Sequence, residues 1–149
     1  HEMQVIKRIC GRVAVMEDGE IVEEGDVFSV FASPRRKITK DFIDTTSNLS
    51  NIYELLAENS PVLRLEKDSC LVKLQYLKES VSEPLISIIT QNYDLKCNIL
   101  FSDVEIIGGY PMGGTISIIS GASDHITHAL DYLVDRGIGV EVIRDERTS

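Results

Sequence analysis

The sequence predicts an α+β chain whose second half is a ferredoxin-like (ACT-like) β-α-β-β-α-β unit. Three observations carry this. From residue 70 onward, apolar residues recur at a strand period, then a helix period, then two strand periods, a helix period and a last strand period. Each helical stretch keeps its apolar residues on one stripe, as two helices covering one face of a four-stranded antiparallel sheet require. The first 44 residues, by contrast, offer only a helix, a hairpin and a short helix, too little to bury a core alone.

In order along the chain, residues 2–10 place Met3, Ile6 and Ile9 three apart with Val5 beside them, which predicts a short amphipathic helix. "RVAVMEDGEIVEEG" predicts a hairpin turning at Asp18-Gly19, because type I′ turns need positive φ. "DVFSVFASP" predicts a short helix capped by Asp26, with Pro34 just past its end, and "KITKDFID" adds a further turn or two. The polar run "TTSNLSN" opens a linker over residues 45–69. Within it, "NIYELLAENSP" predicts a short helix stopping before Pro61, and "VLRLE" an extended stretch.

The sheet unit, residues 70–145, begins with "CLVKLQYL", a strand with Val72, Leu74 and Tyr76 on one face. "VSEPLISIITQNY" predicts a helix capped by Ser82, with Pro84 in its first turn and Leu85, Ile88, Ile89 and Tyr93 facing inward. "KCNILFSDVEII" and "GTISIIS" predict two strands. "SDHITHALDYLVDRG" predicts a helix capped by Ser123 or Asp124, with Ile126, Ala129, Leu130 and Leu133 inward and Gly137 at its end. "IGVEVI" predicts the last strand.

Composition narrows the function classes. The 149 residues are 43% hydrophobic and 26% charged, with a net charge of −9. Such a chain repels nucleic-acid backbones. The one close basic cluster, Arg35, Arg36, Lys37 and Lys40, reads as a solvated turn, and Tyr76 and Phe101 do not make an RNA-stacking platform. No apolar run approaches the roughly 18 residues of a membrane span. Cys10, Cys70 and Cys97 are odd in number and widely spaced, which suits buried thiols in a reducing, cytoplasmic setting. His125 and His128 lie three apart but have no further ligand to complete a metal site. Asp103 and Glu105 project from the same side of a strand and read as a solvent face.

The chemistry-bearing stretch is "KCNILFSDVEIIGGYPMGGTISII". Gly108, Gly109, Gly113 and Gly114 cluster between two predicted strands. Glycines there serve turns, and they also let a ligand approach backbone N–H and C=O groups. Asn98 can donate and accept at once, while Leu100, Met112 and Ile116 could line an apolar slot. Together these suit a free amino acid.

"HEMQVIKRICGRVAVMEDGEIVEEGDVFSVFASP" resembles the end of an ABC-transporter ATPase domain, and the later "LVKLQYLKESVSEPLISIITQNYDLKCNILFSDVEIIGG" resembles the NIL regulatory domain of methionine-importer ATP-binding subunits. The resemblance implies that residues 1–44 are the remnant of an ATPase domain in a longer subunit. His1 would be that parent's catalytic switch-loop histidine. ATP and Mg²⁺ would be the intact parent's cofactors. The phosphate loop G-x-x-x-x-G-K-[ST] is absent from these residues, so the chain alone is not expected to hydrolyse ATP. The resemblance further implies that the NIL domain binds methionine, with Asn98 matching a family ligand residue and Met112, Gly113, Gly114 and Thr115 nearby. "YPMGG" is longer than the family's loop at that point. It implies a homodimer through the C-terminal domain, a membrane permease partner at the cytoplasmic face, and feedback inhibition of uptake by methionine. The alternative is a module that only dimerises the subunit and binds no ligand. An enzyme on the same fold, such as an acyl-phosphate hydrolase, would need an arginine-bearing phosphate loop that the first strand lacks.

Overall fold

The computed structural model describes residues 2–47 and 50–147. The chain opens with α1 (Met3–Ile9), then the antiparallel hairpin β1 (Arg12–Glu17) and β2 (Glu20–Asp26). The hairpin turns on Asp18 and Gly19 at φ of 50° and 83°, the positive values that a type I′ turn demands. The short helix α2 (Val27–Ala32) follows, and Asp26 Oδ1 accepts a hydrogen bond from the Ser29 N–H at 2.9 Å, satisfying one orphan donor of its first turn. Next come α3 (Lys37–Thr46) and α4 (Ser50–Ala57). Where the sequence predicts an extended stretch, Pro61–Leu63 forms a 3-10 turn. Proline at its first position has the fixed φ such a turn starts from and lacks the N–H that would be orphaned there.

The sheet unit runs β3 (Ser69–Leu77), α5 (Leu85–Asn92), β4 (Lys96–Ile107), β5 (Tyr110–Ser120), α6 (Ser123–Asp135) and β6 (Gly139–Asp145). Its strands lie in the order β4-β5-β3-β6, each neighbouring pair antiparallel. That is the ferredoxin-like order, with the first and third strands central.

Alternation along the strands gives the sheet two unlike faces. On the first, Cys70, Val72 and Leu74 of β3 and Ile119 of β5 pack under Leu85 and Ile89 of α5 and Ile126, Ala129, Leu130 and Leu133 of α6. On the second, Leu71 and Ile116 pack under Ile52 of α4 and Leu63. The far end of that second face, at the β4–β5 hairpin, carries the opening section of the chain. Val27, Phe28 and Phe31 of α2 close over Ile107, with Leu77 and Met112 packed alongside. The partner that the first 44 residues need for their apolar faces is therefore in part the sheet itself.

Three further local expectations change. Ser82 does not cap α5: it ends a 3-10 turn (Lys78–Ser82), and the helix starts only after Pro84. Proline disfavours helical backbone at the residue before it, which delays the start. Neither Ser123 nor Asp124 occupies the cap of α6, where Ala122 stands instead; Ser123 is the first helical residue and Asp124 lies in the first turn, where a carboxylate favours the helix dipole. Gly113 and Gly114 do not lie between strands. Gly108 and Gly109, at φ of 57° and 84°, make a two-residue turn, and β5 already begins at Tyr110.

Candidate functional site

The second face of the sheet is interrupted between α4 and α2. Strand register sets two rows of side chains there. Lys73 of β3 lies between Ile116 of β5 and Glu141 of β6, and Gln75 lies between Gly114 and Gly139. Two glycines flanking one glutamine leave the middle of the sheet without side chains on either side, and a trough runs across it. A Cβ added at Gly139 would stand 3.2 Å from Gln75 Cβ.

Phe31 of α2 with Ile43 and Asp44 of α3 wall the trough from above. It has two lobes that share Phe31, Ile43, Asp44, Lys73 and Gln75. One of about 60 Å³ reaches toward Asp103, Glu105 and Met112, and one of about 280 Å³ reaches toward Lys40, Gly139 and Glu141. Gln75 Nε2 donates to Met112 Sδ at 3.4 Å, a weak acceptor for an amide. Lys73 is half-buried, and among the described residues it makes no ion pair.

The inner end of the trough is closed by an ion pair between the two halves of the chain. Lys7 of α1, 2% exposed, donates to Glu105 of β4 at 3.0 and 3.1 Å and lies 5.4 Å from the centre of the Phe31 ring. The Gly108 N–H donates to the Lys7 carbonyl at 2.8 Å. Periodicity of the sequence does not reveal Lys7 or Phe31, because their partners lie far along the chain. Lys73 and Gln75 left a legible trace: they are the polar alternates in "CLVKLQYL".

The residues singled out from sequence fall in different places. Met112, Gly113 and Gly114 line the smaller lobe. Asn98 is exposed on β4 and pairs with Ile118. Ile118 stands six positions along β5 from Met112, or roughly 20 Å at the rise of a strand. Leu100 sits at the register shift of β4 between Ile99 and Phe101, packed against the cluster under α4. Thr115 is buried on the opposite face, paired across the strands with Leu74. Among the described residues, then, Asn98 and Leu100 do not line the lobe that Met112, Gly113 and Gly114 line. His1 lies outside the described residues. His125 is half-buried and His128 exposed on α6, and among the described residues no group of His, Cys, Asp and Glu is placed to hold a metal ion.

β4 is an edge strand, with one side open. On its first-face side Ile99, Val104 and Ile106 are 49%, 55% and 55% exposed. The residues present do not fit ATP: the glycine-rich loop that would cradle its phosphates does not occur in the 149 residues. No helix of the described residues is long and apolar enough to cross a membrane.

Comparison with known proteins places these features in a family. The model of the NIL domain matches residues 70–142. A methionine import ATP-binding protein of Oenococcus oeni is 39% identical over 145 residues, covering 97% of this chain and 41% of its own length. One from Lactococcus lactis subsp. cremoris is 37% identical over 149 residues, covering 99% of this chain and 40% of its own. The chain thus spans about two-fifths of the length of the curated relatives it matches. A solved C-terminal domain of an ABC transporter ATP-binding protein from Enterococcus faecalis aligns with 60% of this chain and 93% of its own, at 22% identity and a TM-score of 0.46. Residues 70–142 belong to the NIL domain family, and the chain as a whole corresponds to the C-terminal region of methionine import ATP-binding proteins.

Proposed function

We propose that this chain is the regulatory portion of the ATP-binding subunit of a methionine importer, that it binds methionine, and that binding feeds back to inhibit ATP-driven uptake. The observation that carries the reading is a NIL domain over residues 70–142 in a chain similar along its length to proteins named for methionine import and ATP binding. The subunit as a whole would use ATP and Mg²⁺ and would sit at the cytoplasmic face of the membrane against its permease. Residues 1–44 would be the ATPase remnant, 45–69 the linker and 70–145 the regulatory domain.

Two copies of the chain would pair along β4. A 12-residue edge strand with exposed Ile99, Val104 and Ile106 is an open template for a second sheet, and natural proteins seldom leave such an edge bare. Asn98 lies on that strand, so pairing would set its amide beside residues of the second copy and complete a polar site for the carboxylate and ammonium of methionine. Feedback then needs only that methionine prefer one arrangement of the paired subunits over another.

The test is calorimetric titration of L-methionine into the chain and its Asn98→Ala variant. Losing a hydrogen bond to a charged group weakens binding about ten- to a hundredfold. Asn98 is exposed, so the thermal melt stays where it was. Unchanged affinity in the variant would remove Asn98 from the site. A dimer that binds no methionine at all would favour the alternative of a purely dimerising module.

A further inference from the structure

We propose that the trough between α3 and the second face of the sheet is a second binding site, separate from the β4 edge, for a small zwitterionic amino acid with an apolar side chain. It rests on the reading that the chain senses methionine, but it stands on different residues.

Lys73 is the anchor. Strand alternation holds its side chain on a covered face, half-buried and without an ion pair among those of the described residues. An ammonium partly removed from water is costly unless an anion meets it. Its cross-strand neighbour Glu141 does not form that pair. Beside it, the Gln75 amide spends one of its two N–H donors on a thioether, a bond readily exchanged for a carboxylate oxygen. Lys73 and Gln75, two residues apart on one face of one strand, would take the ligand's carboxylate between them.

The remaining lining selects a zwitterion over a simple anion. Asp44 and Glu141 border the larger lobe, and Asp103 and Glu105, each already engaged by other groups, border the smaller. Carboxylates so placed repel a dianion and attract an ammonium group. Phe31, Ile43 and Met112 give the side chain an apolar wall, with a polarizable sulfur suited to another thioether. The larger lobe, about 280 Å³, is close to the lower end of the roughly 300–1,000 Å³ typical of small-molecule sites. Gly114 borders the smaller lobe and Gly139 the larger, and a Cβ added at Gly139 would crowd Gln75 at 3.2 Å.

The position gives the site a consequence. Phe31, Ile43 and Asp44 belong to the opening section of the chain, and Lys73 and Gln75 to the sheet. An amino acid held between them stabilises the docked arrangement of the two over any in which they part.

The experiment is calorimetric titration of L-methionine into the 149-residue chain and its Asn98→Ala, Lys73→Met and Asp44→Asn variants, the last two made both alone and together with Asn98→Ala, each checked by thermal melt. Alongside, 3-(methylthio)propylamine, which lacks the carboxylate, and L-glutamate are titrated into the unaltered chain. We expect Lys73→Met and Asp44→Asn each to weaken a class of sites that persists in Asn98→Ala, by about ten- to a hundredfold. The amine and glutamate should leave that class empty. If the amine binds as well as methionine, or if Lys73→Met and Asp44→Asn leave the titration of Asn98→Ala unchanged, the trough is overturned while the β4 reading stands. If Asn98→Ala is without effect and Lys73→Met abolishes binding, the trough stands and the β4 site falls. No heat of binding in the unaltered chain removes both.

Discussion

Lys7 and Glu105 are charges of opposite sign, 3.0 Å apart, with only 2% and 24% of their side chains exposed. Breaking a buried pair from one side leaves the other charge stranded, at about 3–5 kcal/mol, and the partial exposure of Glu105 lowers that to roughly 1–3 kcal/mol. Glu105→Gln is therefore expected to lower the unfolding free energy measured by urea titration by that amount, and an unchanged unfolding free energy would show that the pair does not hold the junction. Cys70 makes the opposite point about burial. Its thiol is pushed up to about 11, chiefly because the sheet and helices exclude water from it. The reactive thiolate gains population only as pH climbs toward that value, so at pH 8 Cys70 should be the last of the three thiols to react with a disulfide reagent, and should react fast once the chain is unfolded. Early labelling of Cys70 in the native chain would contradict the packing. Neither Lys7 nor Glu105 announces its role in the sequence. They stand 98 residues apart, and a lysine in a short amphipathic helix reads as solvent-facing until its partner is known.

At the scale of elements, the order of strands and helices was legible because the inner stripe of each is aliphatic and keeps its period. Ile126, Ala129, Leu130 and Leu133 bury together as their spacing requires. The turn between β4 and β5 was harder to place. Four glycines in seven residues blur where one strand ends, and only backbone geometry shows that Gly108 and Gly109 make the turn while Gly113 and Gly114 are strand. Gly108 also abuts α2: a Cβ there would lie 2.8 Å from Val27 Cγ1, at a φ of 57° that side chains rarely adopt. Gly108→Ala should destabilise the chain by about 1–2 kcal/mol and loosen α2 from the hairpin, raising amide exchange in Val27–Ala32. Equal exchange in both proteins would mean that the hairpin tip does not support α2. The candidate sites follow the same division. Asn98 could be picked out as an amide in a strand, and Met112, Gly113 and Gly114 as a loose group, but the trough depends on which strands lie side by side. The pairing of Gln75 with Gly114 on one side and Gly139 on the other is a property of the β4-β5-β3-β6 order, not of any short stretch.

For the whole molecule, the proposed regulation joins two features: a β4 edge left open for a second copy, and an opening section fastened to the far end of the same sheet. In this proposal a ligand at the edge would act on how two chains meet, and a ligand in the trough on how each sheet holds the opening section. Both act only through a difference in affinity between arrangements. The central claim is that this chain is a methionine-binding dimer. Native mass spectrometry of the chain with L-methionine tests it most directly. The account predicts a species of twice the 16.6 kDa chain mass carrying bound methionine, whereas a bare 16.6 kDa monomer at saturating L-methionine would contradict it.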